Sequence, residues 1–321
     1  GQVRNGIQRG ALPAAAGAAV DPTRLKHKAT RHLKERFIEL LLMLCGLVAV
    51  FTTLAITTIL VYESIGFFSF VSVWDFITGT VWTPLFENPQ YGILPLISGT
   101  LTITVIAMLL AVPMGTVIAI YLSEFAPHKA REVIKPALEL IQAVPTIVFG
   151  YFALLFVTPM LQATILPDLP GFNMLVPALV IGVMTVPTIA SLAEDAMRAV
   201  PMAMREGAYA LGSNKMQVSI KVVMPAAISG VVAAYVLAAA RAIGETMIVA
   251  IAAGQNANFS FNPMDAAATL TAYIAQVSMG DLEHGSVGYR SIFAAGLVLL
   301  LMTLVLNLAG HFLRRRYRKA Y

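Results

Sequence analysis

The sequence predicts an all-α membrane protein of six transmembrane helices with both termini in the cytoplasm. Three observations carry this. Of the 321 residues, 58% are hydrophobic and only 12% charged, far from the balance of a soluble domain. Six apolar stretches reach about the 20 residues that cross the hydrocarbon as a helix, and they are apolar on every side, unlike the alternating strands of a barrel. Every Lys and Arg except Arg241 and Arg290 lies in the N-terminal arm, the second and fourth loops or the tail, and the positive-inside rule places those segments in the cytoplasm. The formal charge of +5 thus reports topology and contact with anionic lipid rather than nucleic-acid binding.

The elements follow in order. Residues 1–36 form a basic arm of Gly, Ala and Pro that cannot bury a core and is expected to be disordered to about Lys26. Its "GALPAAAGAAV" is too weakly hydrophobic for a signal core and reads as flexible chain. The transmembrane domain covers 37–316, with spans at Leu40–Tyr62, Ile93–Ser123, Leu140–Met160, Met174–Ala193, Val222–Gly254 and Ser291–Leu313, and 317–321 are a basic tail. The outer loop Ser64–Gly92 clusters Phe, Trp and Val, which suits an interfacial helix with an aromatic belt or a loop packed on helix ends. The other two outer loops, Leu161–Asn173 and Gln255–Tyr289, hold acids and no Lys or Arg. Pro113, Pro145 and Pro187 fall inside the second, third and fourth spans and read as bends that a bundle tolerates.

Several chemistries find no support. Cys45 is the single cysteine, the five histidines are scattered, and no HExxH or paired-cysteine pattern occurs, so no metal site is expected. There is no phosphate loop and no Gly-Lys pair; this chain is expected to be no enzyme and to carry no cofactor of its own.

The most specific text is the fourth loop, within 199–222 and running on to Pro225: "VPMAMREGAYALGSNKMQVSIKVVMPAA". Pro201 suits a helix's first turn and Gly212 the left-handed residue that closes one. A short helix, a glycine turn and a second helix entering the membrane at Pro225 are expected. Met202, Gly207 with Ala208, and Leu211 would form a small, apolar face with Arg205 and Glu206 beside it, a shape that fits a partner's groove.

Glu206, Ala208, Gly212 and Pro225, with Val222 and Met224 between the last two, match the "EAA, three residues, G, nine residues, I, one residue, LP" signature of ABC importer permeases; Gly207 departs from the usual second Ala. The sequence resembles that family, and within it the phosphate-importer permeases of the PstC type through "LPLISGTLTITVIAMLLAVPMGTVIAIYLSEFAP", "ALELIQAVPTIVFGYF", "REGAYALGSNK" and "RAIGETMIVAIAAG". The resemblance implies the six-helix MetI-like fold in a bacterial inner membrane and a coupling loop (Arg205, Glu206, Gly207, Ala208, Gly212, Pro225) that docks on an ATP-binding subunit. It also implies a homologous PstA-like permease, a PstB-like ATPase dimer holding ATP and Mg, and an external PstS-like phosphate-binding protein. Other oxyanion importers, for sulfate or molybdate, stay open, as does a self-sufficient channel or ion-coupled carrier.

Arg241 and Glu245 stand out within the fifth span. If the helix runs from Pro225 to Ala253, Arg241 is about 3 Å from its midpoint, where a lone Arg costs roughly 2.5 to 3.5 kcal/mol. Glu245, one turn on, is expected to share its face and offset the charge. The pair could be structural, a gate, or, with Thr246, part of an anion's passage; a guanidinium matches two phosphate oxygens, and Glu245 could accept the proton of hydrogenphosphate.

Overall fold

The computed structural model describes residues 22–317. The chain divides at Thr58 into two units. The described part of the first is one helix, α1 (Pro22–Phe68), which continues beyond the boundary into the second. Residues 22–36, assigned above to the arm, are therefore helical: Pro22 suits a first turn, and Leu, Lys, Arg and Glu are good helix formers. The rest of the arm and residues 318–321 lie outside the described residues.

In the second unit, α2 (Val73–Thr78) turns the outer loop back on the bundle. Its Phe76 meets Phe67 of α1 edge-to-face at 5.7 Å, and Trp82 meets Tyr273 at 4.9 Å. Phe76 and Trp82 are buried, so this part of the loop packs on helix ends.

The core is α3 (Leu94–Ile120) against α7 (Leu175–Arg198). Ile103, Ala107 and Ala111 of one pack with Ile181, Met184 and Ile189 of the other. Small residues allow the close approach: a Cβ on Gly115 would lie 2.7 Å from Ile189, and one on Gly182 3.0 Å from the Ala107 carbonyl. Both helices run unbroken through Pro113 and Pro187. Thr104 and Thr185 donate to the Thr100 and Ile181 carbonyls one turn back, at 2.7 and 2.6 Å. A π-helical turn, Tyr121–Phe125, ends α3.

Pro145 behaves differently. The expected span from Leu140 is interrupted: α4 (His128–Ala143) stops, Val144 and Pro145 are extended, and the crossing is α5 (Thr146–Phe152), a π turn and α6 (Thr158–Thr164). Proline pushes the residue before it out of the helical region, and Val144 adopts ψ 128°. The charged flank Lys129–Lys135 makes α4 amphipathic, a separate helix outside the crossings.

After α7 come α8 (Met202–Ala210) and α9 (Lys215–Val218), the latter leading through a π turn into α10 (Met224–Ala226). The chain then bends by 74° at Ala227 into α11 (Ile228–Ile243). The π turn and Pro225, which lacks an N–H, account for the bend. The fifth crossing is therefore not the continuous Val222–Gly254 helix expected. It breaks again at Gly244–Thr246 before α12 (Met247–Ala252). Among the described residues, five helices are long and apolar enough to cross a bilayer, and counting the bent pair as one span makes six.

Residues 255–289 are not simply an outer loop. Within them α13 (Leu270–Gln276) is buried against Leu96, Trp82 and Ile93, before α14 (Val287–Tyr317) makes the last crossing. No strand is present among the described residues, only two isolated bridges.

Candidate functional site

The fourth loop folds as its residues dictate. Pro201 precedes α8, Gly212 takes φ 83°, and Asn214 with Gln217 forms a reciprocal cap that starts α9, at 2.9 and 3.0 Å. Met202, Glu206, Gly207 and Leu211 are exposed, Leu211 by 89%. Ala208, expected on the outer face, and Arg205, expected beside it, both turn inward. Ala208 leans with Met204 on the cluster of Ala193, Met197 and Val218. Arg205 is buried, its guanidinium 2.9 Å from Glu124 and donating to the Val200 and Met197 carbonyls at 2.6 and 2.9 Å. Arg205 thus anchors the helix rather than presenting a charge beside its outer face. Pro225 is exposed on α10, ahead of the 74° bend.

The broken crossing separates the two charges of "RAIGET". Arg241 occupies the last turn of α11, where the helix's negative end favours a cation. Glu245 lies beyond that helix: its Oε1 accepts the N–H of Thr246 at 3.2 Å and that of Ile248 at 3.5 Å. It therefore does not share Arg241's helical face, and no ion pair joins them among the described residues. The buried α13 supports the break from the other side, Thr271 donating to the Glu245 carbonyl at 2.7 Å. Thr246 turns its hydroxyl back on the Gly244 carbonyl, at 3.2 Å.

Arg241 instead lines a cleft of about 580 Å³ between α4, α7 and α11, with Glu139, Gln142, Thr188 and Ser191 around it. Its Nη1 reaches Thr188 Oγ1 at 3.4 Å. A half-buried guanidinium with two hydroxyls, one amide and the Glu139 carboxylate around its cleft can take an oxyanion in a fork.

One charged cluster was not singled out from the sequence. Glu194 on α7 is fully buried, with Arg131 at 3.0 Å, Lys135 at 2.9 Å and Arg198 at 3.7 Å; Lys135 also meets Asp195 at 2.7 Å. Burial pulls the Lys135 ammonium's pKa down, but hydrogen bonds and charge from Asp195 and Glu194 outweigh it, and the net shift is upward. The available signal was Arg131 and Lys135, four residues apart on one helical face, facing two acids at the end of an apolar run.

A family model described as "Binding-protein-dependent transport system inner membrane component" matches residues 111–319. The chain belongs to that family. It is a permease subunit of an ABC importer, and membership implies an ATP-hydrolysing subunit and a substrate-binding protein as partners. Relatives of this permease include the "Probable ABC transporter permease protein YqgH" of Bacillus subtilis, 34% identical over 91% of this chain and 94% of that one. The "Phosphate transport system permease protein PstC" of Mesorhizobium japonicum is 34% identical over 75% and 78%. The protein of the same name from Pasteurella multocida is 32% identical over 90% and 96%. Among solved structures, a bacterial alginate ABC transporter in complex with its alginate-bound periplasmic protein aligns with TM-score 0.61 at 16% identity, over 91% of this permease and 99% of that chain. The inward-facing MetNI methionine ABC transporter aligns with TM-score 0.52 at 16% identity, over 71% and 94%. At that identity they show the fold, the all-helical importer-permease fold expected from the sequence.

Proposed function

We propose that this permease conducts inorganic phosphate, pairing with a homologous PstA-like permease above a PstB-like ATPase dimer that holds ATP and Mg, and receiving the ion from an external PstS-like binding protein. Its termini lie in the cytoplasm of a bacterial cell, as the basic segments imply. The observation that carries the substrate is Arg241 in its cleft, facing Thr188, Ser191 and Gln142 with no carboxylate bonded to it among the described residues; the relatives named PstC support it. A fork of two N–H donors fits two phosphate oxygens, and the hydroxyl, amide and carboxylate neighbours of the cleft hold an ion loosely enough that it can leave again. Glu139, the acid lining the cleft, is placed to accept the proton that hydrogenphosphate carries and sulfate lacks. Glu245 and Thr246 act on the pathway by holding the break at which Arg241's helix ends.

The test is ATP-dependent uptake of phosphate against sulfate and molybdate by the reconstituted complex. Arg241→Lys is expected to lower phosphate uptake and Arg241→Gln to abolish it; full transport by Arg241→Gln removes the passage site. The exposed edge of α8 is the proposed ATPase contact. Glu206→Ala should leave the subunit inserted while weakening ATPase copurification or uncoupling hydrolysis from uptake, and unchanged copurification and uptake would sink that assignment.

A further inference from the structure

Three cations from three helices converge on the five-residue π turn Tyr121–Phe125. Arg205 of α8 reaches Glu124, its Nε at 3.3 Å from both carboxylate oxygens and its Nη2 at 2.9 Å from one. Ser123 donates to the same carboxylate at 2.9 Å. Lys215, the first residue of α9, stands over the Phe125 ring at 5.1 Å. Arg131 of α4 donates to the Leu122 carbonyl at 2.7 Å and, on the same guanidinium nitrogen, meets Glu194 of α7 at 3.0 Å. Both arms of the fourth loop and α4 are therefore fastened to the end of α3 through one turn.

Burial makes these links stiff. Arg205 and Glu124 keep only 10% and 6% of their side-chain exposure, and Arg205 also closes the Met197 and Val200 carbonyls where α7 ends. A guanidinium with its donors committed in a fixed plane resists rotation in a way an ammonium does not. π turns inside helices are frequent at functional sites because they present an irregular backbone at a chosen point. The turn leads onward: α4, clamped to α7 by Arg131 and Lys135 on Glu194, supplies Glu139 and Gln142 to the wall of the Arg241 cleft.

We propose that the Tyr121–Phe125 turn is the junction that carries displacement of the fourth loop into α4 and so sets the width of the Arg241 cleft, with Arg205 and Glu124 as its positioning residues. The path is continuous: α8 to Glu124, Leu122 to Arg131, Arg131 to Glu194, and α4 to the cleft wall. It rests on the assignment of α8 as the ATPase contact and is independent of which ion passes.

The test uses the complete complex in lipid, with Cys45→Ser and spin labels at Val133 on α4 and Leu237 on α11, and reads their separation by pulsed EPR without nucleotide and with ATP trapped. With the junction intact the separation shifts between the two states. In Glu124→Gln it stays at one value in both while ATP is still bound and hydrolysed, and uptake per ATP falls roughly 3- to 30-fold. A shift that persists in Glu124→Gln overturns the proposal, and so does a parent complex that shows none. If Glu124→Gln does not assemble, Arg205→Lys, which keeps the cation and drops the planar fork, is read in the same way; an undiminished shift there overturns it too. Failure of Glu206→Ala to affect ATPase contact, by contrast, removes the assignment of α8 and leaves the α4 response as a separate result.

Discussion

Replacing Glu194 with Gln tests the buried charge cluster most directly. The carboxylate is fully buried, and its removal leaves three cations with different alternatives. Arg198 is half exposed and sits at 3.7 Å, so its share is close to nothing. Lys135 keeps Asp195 at 2.7 Å. Arg131, 16% exposed, keeps only the Leu122 carbonyl and bears most of the loss. Breaking a buried pair costs roughly 3 to 5 kcal/mol; with two of three cations retaining water or a second acid, the low end applies, about 3 kcal/mol. At about 2 to 4 °C per kcal/mol, thermal unfolding of the detergent-solubilised permease should move down by roughly 6 to 12 °C. Asp195→Asn is the control, since that carboxylate is 57% exposed and its loss should cost under about 1 kcal/mol. A Glu194→Gln midpoint no lower than that of Asp195→Asn would refute the reasoning.

Three further outcomes are expected. Gly115→Val places a branched side chain where a Cβ already lies 2.7 Å from Ile189 and 3.2 Å from the Val186 carbonyl; overpacking should cost about 1 to 3 kcal/mol, read as a lower unfolding midpoint. Gly207→Ala meets nothing within 4 Å, so within this chain it should stabilise α8 by up to about 1 kcal/mol, seen as an unchanged or slightly higher midpoint. Lys135 has a raised pKa and lies outside the membrane-spanning helices; its contribution is complete below the free-lysine value of about 10.4 and is lost as pH rises through the higher folded value. A pH series of midpoints should therefore show an alkaline decline that Lys135→Met removes.

Much of the architecture was legible because lipid restricts what a chain can do. Long apolar runs and the charge map located the crossings, and the Pro201, Gly212 and Pro225 chemistry located the fourth loop's two helices. Where helices break was less legible. Pro113 and Pro145 both follow Val within apolar runs, yet only the second ends a helix, because charged α4 has its own amphipathic face to lay down. The break at Gly244–Thr246 depends on a carboxylate bonding to its own backbone and on Thr271, 26 residues away, which no local pattern encodes. The same holds for Glu194: its two nearest partners, Arg131 and Lys135, come from α4, some 60 residues earlier, and a one-dimensional charge count assigns them only to a side of the membrane.

The interrupted fifth crossing also bears on how the protein is made. α11 has 16 residues, about 24 Å at helical rise, short of the ~30 Å hydrocarbon. α12 supplies further depth but lies against α5, where Gly150 abuts Ile251 and the Met247 carbonyl. Between them, backbone groups of a non-helical segment can stay within a bilayer only if protein covers them. This segment therefore has no stable life as a lone inserted helix. Its cover comes from α5, which the ribosome has already delivered, and from α13, whose Thr271 bonds the Glu245 carbonyl, so the break can be sealed only once chain beyond it has been made.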